Sequence, residues 1–206
     1  MSELIDIFNA NGAFVGVAER DVAHAFGLWH RAVHCWVVWD GRLVFQRRAE
    51  YRENGGKLYT TASGHVCAGA TLEEAFAAET SEEIGFVPPS SRFLFSVAFV
   101  ADFPKKDGSL FAERVFSHTY YSEYDGALSD FRFNDGEVSA VVAIDLADFA
   151  RRADEPSPIF SGLEFNGESM REIQVSASDF LVTSGDSLGN KFGRIARAIL
   201  ADMGRE

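Results

Sequence analysis

The chain has 206 residues, 47% of them hydrophobic and 24% charged, with 19 basic against 31 acidic side chains and a net charge of −12. That length suits one domain with a full core between a sheet and helices. So acidic a surface repels nucleic-acid backbone and anionic membrane, which excludes both as bulk partners and leaves a small anionic ligand only where cations or a metal are concentrated.

The N-terminus, MSELIDIFNANG, is acidic and polar at short intervals and does not read as a signal peptide. No apolar run approaches the length of about 18 residues that a membrane span needs. Cys35 and Cys67 have no framework spacing, and Cys35 sits in an apolar strand pattern as a buried, inert thiol. A reduced, cytoplasmic setting is the expectation.

The stretch LIDIFNANGAFVGVAER reads as a hairpin about Asn11-Gly12 (about 4–18), and residues 20–27 as a short helix. HRAVHCWVVWDGRLVFQRR is a second hairpin turning at Asp40-Gly41. Its first strand is largely apolar on both faces, which predicts a strand covered on both sides. Residues 49–58 form a polar loop. Thr71 with Glu74 three residues later is a capping box that starts a helix, and Gly85 followed by Pro88-Pro89 ends it. Strands are predicted at RFLFSVAFV, ERVFSHTYYSEY and VSAVVAI, with a turn at DFPKKDGS and a short helix at DLADFARRA. Residues 154–187, interrupted by Pro156, Pro158 and glycines, read as irregular. Leu188, Phe192, Ile195, Ile199 and Leu200 form one stripe of a C-terminal helix over about 187–203. The fold class is α+β in one domain spanning 1–206; the hairpin and the C-terminal helix are extensions placed to serve a homodimer.

On the helix after Thr71, Leu72, Ala75 and Phe76 define an apolar side, and at about 100° per residue Glu79, Glu82 and Glu83 continue it. Like charges at this spacing cost roughly 0.2–0.5 kcal/mol per pair, and the C-terminal end of the helix dipole adds to the cost. Inward carboxylates need positive compensation, which a hard divalent cation such as Mg²⁺ or Mn²⁺ provides through oxygen ligands.

The stretch from Gly64 to Phe86, GHVCAGATLEEAFAAETSEEIGF, resembles the Nudix box, G-x5-E-x7-R-E-U-x-E-E-x-G-U, where U is apolar. Gly64, Glu79, Glu82, Glu83, Gly85 and Phe86 match at the required spacing. Ala70 and Ala78 stand in place of the first glutamate and the arginine, and Thr80 is a weak apolar match. Together with the hairpin ending QRR, the chain is similar to isopentenyl-diphosphate-isomerase-like Nudix hydrolases from about Leu4 to Leu146.

The resemblance implies a Nudix fold, a mixed β-sheet sandwiched between helices, and metal-dependent cleavage of a diphosphate linkage in a nucleoside diphosphate derivative or similar small compound. It makes Glu79, Glu82 and Glu83 the metal ligands, with Gly64 allowing close backbone approach and Glu82 and Glu83 acting in catalysis. Glu113 and Glu137 are the candidate general bases. Arg48 with Arg52, and His65, are the candidate substrate contacts; of Arg47 and Arg48 only one can face the site, because a strand alternates. Joint loss of the opposite charges at Ala70 and Ala78 reads as replaced scaffolding.

Two alternatives accompany this reading. His24, His30 and His65 are similar in placement to the metal-binding histidines of isopentenyl diphosphate isomerase, and His65 follows Gly64 as in that family's Cys-Gly-His motif. However, Ser63 replaces the cysteine, and Ala112-Glu113-Arg114 stands where a Glu-x-Glu is expected. His34 and His118 read as hydrogen-bonded core residues. The other alternative is a catalytically weak scaffold that binds a nucleotide or protein partner.

Overall fold

The computed structural model describes residues 3–105, 108–134, 136–182 and 186–205. Positions 106 and 107 of the turn DFPKKDGS lie outside the described residues, as does position 135 in NDGEVSAV. The strands are β1 (Leu4–Phe8), β2 (Phe14–Glu19), β3 (His30–Trp39), β4 (Arg42–Arg48), β5 (Leu58–Tyr59), β6 (Ala62–His65), β7 (Arg92–Pro104), β8 (Leu110–Tyr124), β9 (Val138–Asp145), β10 (Ile159–Phe165) and β11 (Met170–Ser176). The helices are α1 (Arg20–Phe26), α2 (Leu72–Ile84), α3 (Leu146–Arg152) and α4 (Arg194–Asp202). None of them is long and apolar enough to cross a membrane.

β1 and β2 form their own antiparallel pair. The remaining strands make one mixed sheet in the order β11-β10-β9-β4-β3-β8-β7, with β5 on β4 and β6 on β3. β3 and β8 run parallel, and β7 returns antiparallel along β8. The turn between β3 and β4 holds Asp40 and Gly41 both at positive φ (48° and 71°), the geometry of a tight two-residue hairpin.

As expected from its sequence, β3 is covered on both faces. Val33 and Cys35 pack with Ala75 and Phe76 of α2, whereas Trp36 and Val38 join Phe45, Phe149 of α3 and Phe192 on the other side. The layers are therefore helix, sheet, helix.

α2 begins at the predicted capping box: Glu74 N donates to Thr71 Oγ1 at 3.1 Å and Thr71 N to Glu74 Oε2 at 2.8 Å. Gly85 closes it in the left-handed conformation, where a side chain would strike Arg132. At the C-terminus, a wide π-type turn at Gly189–Gly193 precedes α4. Cβ atoms at Gly189 and Gly193 would meet Asp154 and Ala153, so these glycines let the turn press against the end of α3.

One expectation is corrected. Within 154–187, β10 and β11 form a regular hairpin that extends the sheet beside β9. The inward positions of β10 include Gly162 and Glu164, so the alternation is present without being apolar. Glu164, 3% exposed, is held by Arg47 (2.7 Å) and by Arg171.

Candidate metal centre and cleft

β3 divides its edge between two partners. Val37–Trp39 pair with β4, while Ala32–Cys35 pair with β6. At the fork, Val37 N donates to Thr61 Oγ1 at 3.0 Å, and that hydroxyl bonds Val44 O. Glu83, the most buried of the box glutamates, reaches into the same fork from α2. Its Oε2 accepts from Ser63 N at 2.8 Å and from Gln46 Nε2 at 3.2 Å. Between the diverging strands and α2 opens a cleft of about 2330 Å³, to which β7, β8 and the C-terminal turn also contribute.

Where His65 and Glu113 line the cleft, His24 of α1, His30 at the start of β3, His65 at the end of β6 and Glu113 of β8 offer ligand atoms within 4.8 Å of one another. The backbone fixes the rings. His24 Nδ1 bonds Arg20 O at 2.8 Å, and His30 Nδ1 bonds Leu28 O at 2.9 Å. A carbonyl can only accept, so each Nδ1 carries a proton and each ring turns its Nε2 inward. Both Nε2 atoms face Glu113 Oε1, at 3.5 and 3.2 Å. All three atoms are buried without a hydrogen-bond partner. Buried Nε2 and carboxylate atoms that converge on one point need either a proton or a cation between them, and histidine ligands backed by carbonyls are the usual arrangement around a metal. The residues thus fit a cation.

The electrostatics agree. Burial, then Arg20 and the two neighbouring histidines, lower His65 to about 3, so it stays neutral and ligand-ready. Burial pushes the Glu113 carboxyl upward, but His24 and His30 more than reverse this and hold it well below the usual range.

The box carboxylates line the same cleft without converging on one point in this way among the described residues. Glu83 is buried, Glu79 half-buried and Glu82 exposed to the opening. Burial, and next Glu82, raise Glu79 to about 7. Its carboxylate lies flat against the backbone of Gly64: a Cβ there would stand 2.1 Å from Oε1 and 2.3 Å from Oε2. Gly64→Ala should therefore displace this carboxylate and weaken Mn²⁺ binding about tenfold while the fold persists. Titration calorimetry with Mn²⁺ checks this, and unchanged affinity would show that Glu79 is not a ligand.

The remaining candidates are distributed around the cleft. Arg48 lines it and donates to Glu53 O at 3.0 Å, whereas Arg47 turns away to Glu164. Arg52 and Glu137 also line it and form an ion pair at 2.7 Å. Ala70 and Ala78 both face the cleft, so the missing opposite charges leave open space there. His118 bonds Ser96 Oγ through Nδ1 at 2.6 Å, while its Nε2 is buried without a partner. His34 differs from expectation: it is half-buried and lines the cleft edge-on to Tyr59, with burial and then Lys191 lowering it to about 4. Phe111, two residues before Glu113, stacks on His24 at 4.2 Å and walls the histidine end.

The register orders the floor. Along β3 and β8, His30 pairs with Val115, Ala32 with Ser117 and His34 with Thr119. Small side chains thus separate the histidine cluster from His34, about 13 Å away at the rise of a strand.

A NUDIX domain model matches residues 28–161. Nudix hydrolase 3 of Arabidopsis thaliana is 27% identical over 172 residues, covering 81% of this chain but 22% of that protein, so the chain spans about a fifth of this relative's length. An isopentenyl-diphosphate Delta-isomerase of Burkholderia multivorans is 30% identical over 164 residues, 76% of this chain and 86% of that one. Among solved structures, DR0079 from Deinococcus radiodurans superposes with a TM-score of 0.55 at 22% identity, over 73% of this chain and 88% of its own.

Proposed function

The chain belongs to the Nudix family, and on that premise we propose that it is a divalent-metal-dependent hydrolase that cleaves the diphosphate linkage of a nucleoside diphosphate derivative or a similar small compound. The observation that carries this reading is the cluster of His24, His30, His65 and Glu113, whose His65 and Glu113 line one cleft with Glu79, Glu82 and Glu83. The two donor sets differ in chemistry. Three imidazoles and a carboxylate suit a borderline transition ion, whereas the all-oxygen box set suits Mg²⁺ or Mn²⁺. A bound divalent cation neutralises phosphate charge and lowers the pKa of water.

In this assignment Glu113 and His65 join the metal ligands rather than acting as base and substrate contact. Glu79 and Glu82 would hold the box cation, and Glu83 braces the fork through Ser63 N. Arg48 offers its remaining N–H groups to phosphate oxygens, a match that guanidinium geometry favours. Glu137, kept at the rim by Arg52, takes the proton of the attacking water together with the box carboxylates. Residues 1–206 form one Nudix domain in this reading, with the β1–β2 hairpin and C-terminal helix as additions, in a cytoplasmic protein.

A second reading, an isopentenyl diphosphate isomerase-like enzyme, is favoured by the same histidine–Glu113 set and by the Burkholderia multivorans relative. Against it stands Ser63, whose hydroxyl hardly ionises near neutral pH and so serves poorly in proton transfer. A panel of nucleoside diphosphate derivatives with Mg²⁺ or Mn²⁺, run beside isopentenyl diphosphate, separates the readings. The hydrolase reading expects chelator-sensitive phosphate release from at least one panel compound. Conversion to dimethylallyl diphosphate without panel turnover would replace it with the isomerase. Metal binding without any turnover would leave a binding scaffold.

A further inference from the structure

Lys191 stands on the wide turn before α4, outside the segment 28–161 that matches the family. It lines the cleft beside His34 and Tyr59, at the opposite end of the β3 floor from His30. Its Nζ donates to Leu181 O at 2.9 Å and lies 5.0 Å over the Tyr59 ring and 5.3 Å over Phe192. Two of its three N–H donors remain available after that bond. Asp186 favours its charge only through space, and burial lowers the amine to about 8, so it is still mostly protonated at pH 7. Arg194, one turn further on, lines the same wall with its guanidinium 5.2 Å over Phe95. An ammonium with one neutral hydrogen bond is a costly way to fill space that a methionine would fill without penalty. Aromatic faces hold the charge in place without neutralising it.

We propose that Lys191, assisted by Arg194, is a substrate-binding residue that takes an anionic group of the ligand at the end of the cleft away from the histidine cluster. The inference rests on the hydrolase reading only in calling the ligand a substrate, and binding can be measured without turnover. The C-terminal segment then contributes specificity, because Lys191 and Arg194 both lie outside the segment that matches the family.

The test is calorimetric titration of the full chain with inorganic pyrophosphate in chelator-treated buffer at pH 7, so that metal plays no part. Wild type binds, Lys191→Met weakens binding about tenfold or more, and Lys191→Arg restores it to within about threefold. Lys105→Met, altering another cation that lines the cleft, leaves affinity unchanged. No binding by wild type, equal affinity in Lys191→Met, or an equal loss in Lys105→Met would each overturn the proposal. Lys191→Gln with its melting temperature covers the case in which the methionine variant fails to fold. Retained pyrophosphate binding with no turnover in the substrate panel would instead count against hydrolysis alone.

Discussion

Glu113→Gln is expected to strip the transition-type cation from the protein and to lower metal-dependent turnover by about a hundredfold or more. Among the described residues the carboxylate is the anion that faces His24 and His30, and its Oε1 lies within 3.5 Å of both Nε2 atoms. Glutamine keeps the shape but presents no charge, so only the three imidazoles remain as ligands. Metal content after dialysis, measured by elemental analysis beside wild type, gives the answer independently of substrate. Equal metal content in the two proteins would mean that the cluster is a structural network. His30→Ala should behave in the same direction, since its ring is buried and held by Leu28 O.

Glu79→Gln should stabilise the metal-free protein at alkaline pH, by up to about 3 kcal/mol. Burial raises this carboxyl in the folded chain to about 7 from its ordinary 4.5. A carboxyl raised on folding binds its proton more tightly in the native state. Its favourable contribution is therefore complete below about pH 4.5 and is lost as pH rises through about 7. Glutamine mimics the protonated form, so wild type and variant should match at pH 5 and diverge at pH 8, where the variant melts roughly 6–12 °C higher. Added Mn²⁺ should reverse the order at pH 8, because a cation relieves the wild-type repulsion and finds no carboxylate in the variant. Melting curves at the two pH values, with chelator and with Mn²⁺, test all of this. A variant less stable than wild type at pH 8 in chelator, or one that gains as much from Mn²⁺, would sink the assignment of Glu79 as a strained ligand. The inward glutamates are thus a stability cost accepted for binding, a common trade at functional sites.

Much of the fold was legible because local rules and tertiary packing agree. The capping box at Thr71, the terminating Gly85, the two-faced apolar β3 and the Leu188–Phe192–Ile195–Ile199 stripe all appear where their patterns place them. The hairpin of β10 and β11 did not show. Its inward Glu164 is tolerable only because Arg47 and Arg171 arrive from other strands, and no window of sequence contains that compensation. β7 and β8 likewise run longer than their apolar cores suggest, reaching Pro104 and starting at Leu110. That extension carries Phe103 and Phe111 into the cleft and makes Glu113 part of a continuous strand.

The sequence by itself determined the Nudix box, its inward glutamates, the absence of the charged pair at Ala70 and Ala78, and the layered α+β architecture. These depend on spacing along one helix or strand, where periodicity converts directly into a face. Tertiary structure decided which acids meet which bases. His24, His30, His65 and Glu113 come from a helix end, two strands and a fourth segment 48 positions beyond His65, and they converge only because β3 pairs with β6 on one side and β8 on the other. The pairing of β4 with β9 brought Arg52 to Glu137 and turned Arg47 away. Side-chain partnership across strands is set by register and by sheet order, and a single sequence writes down neither.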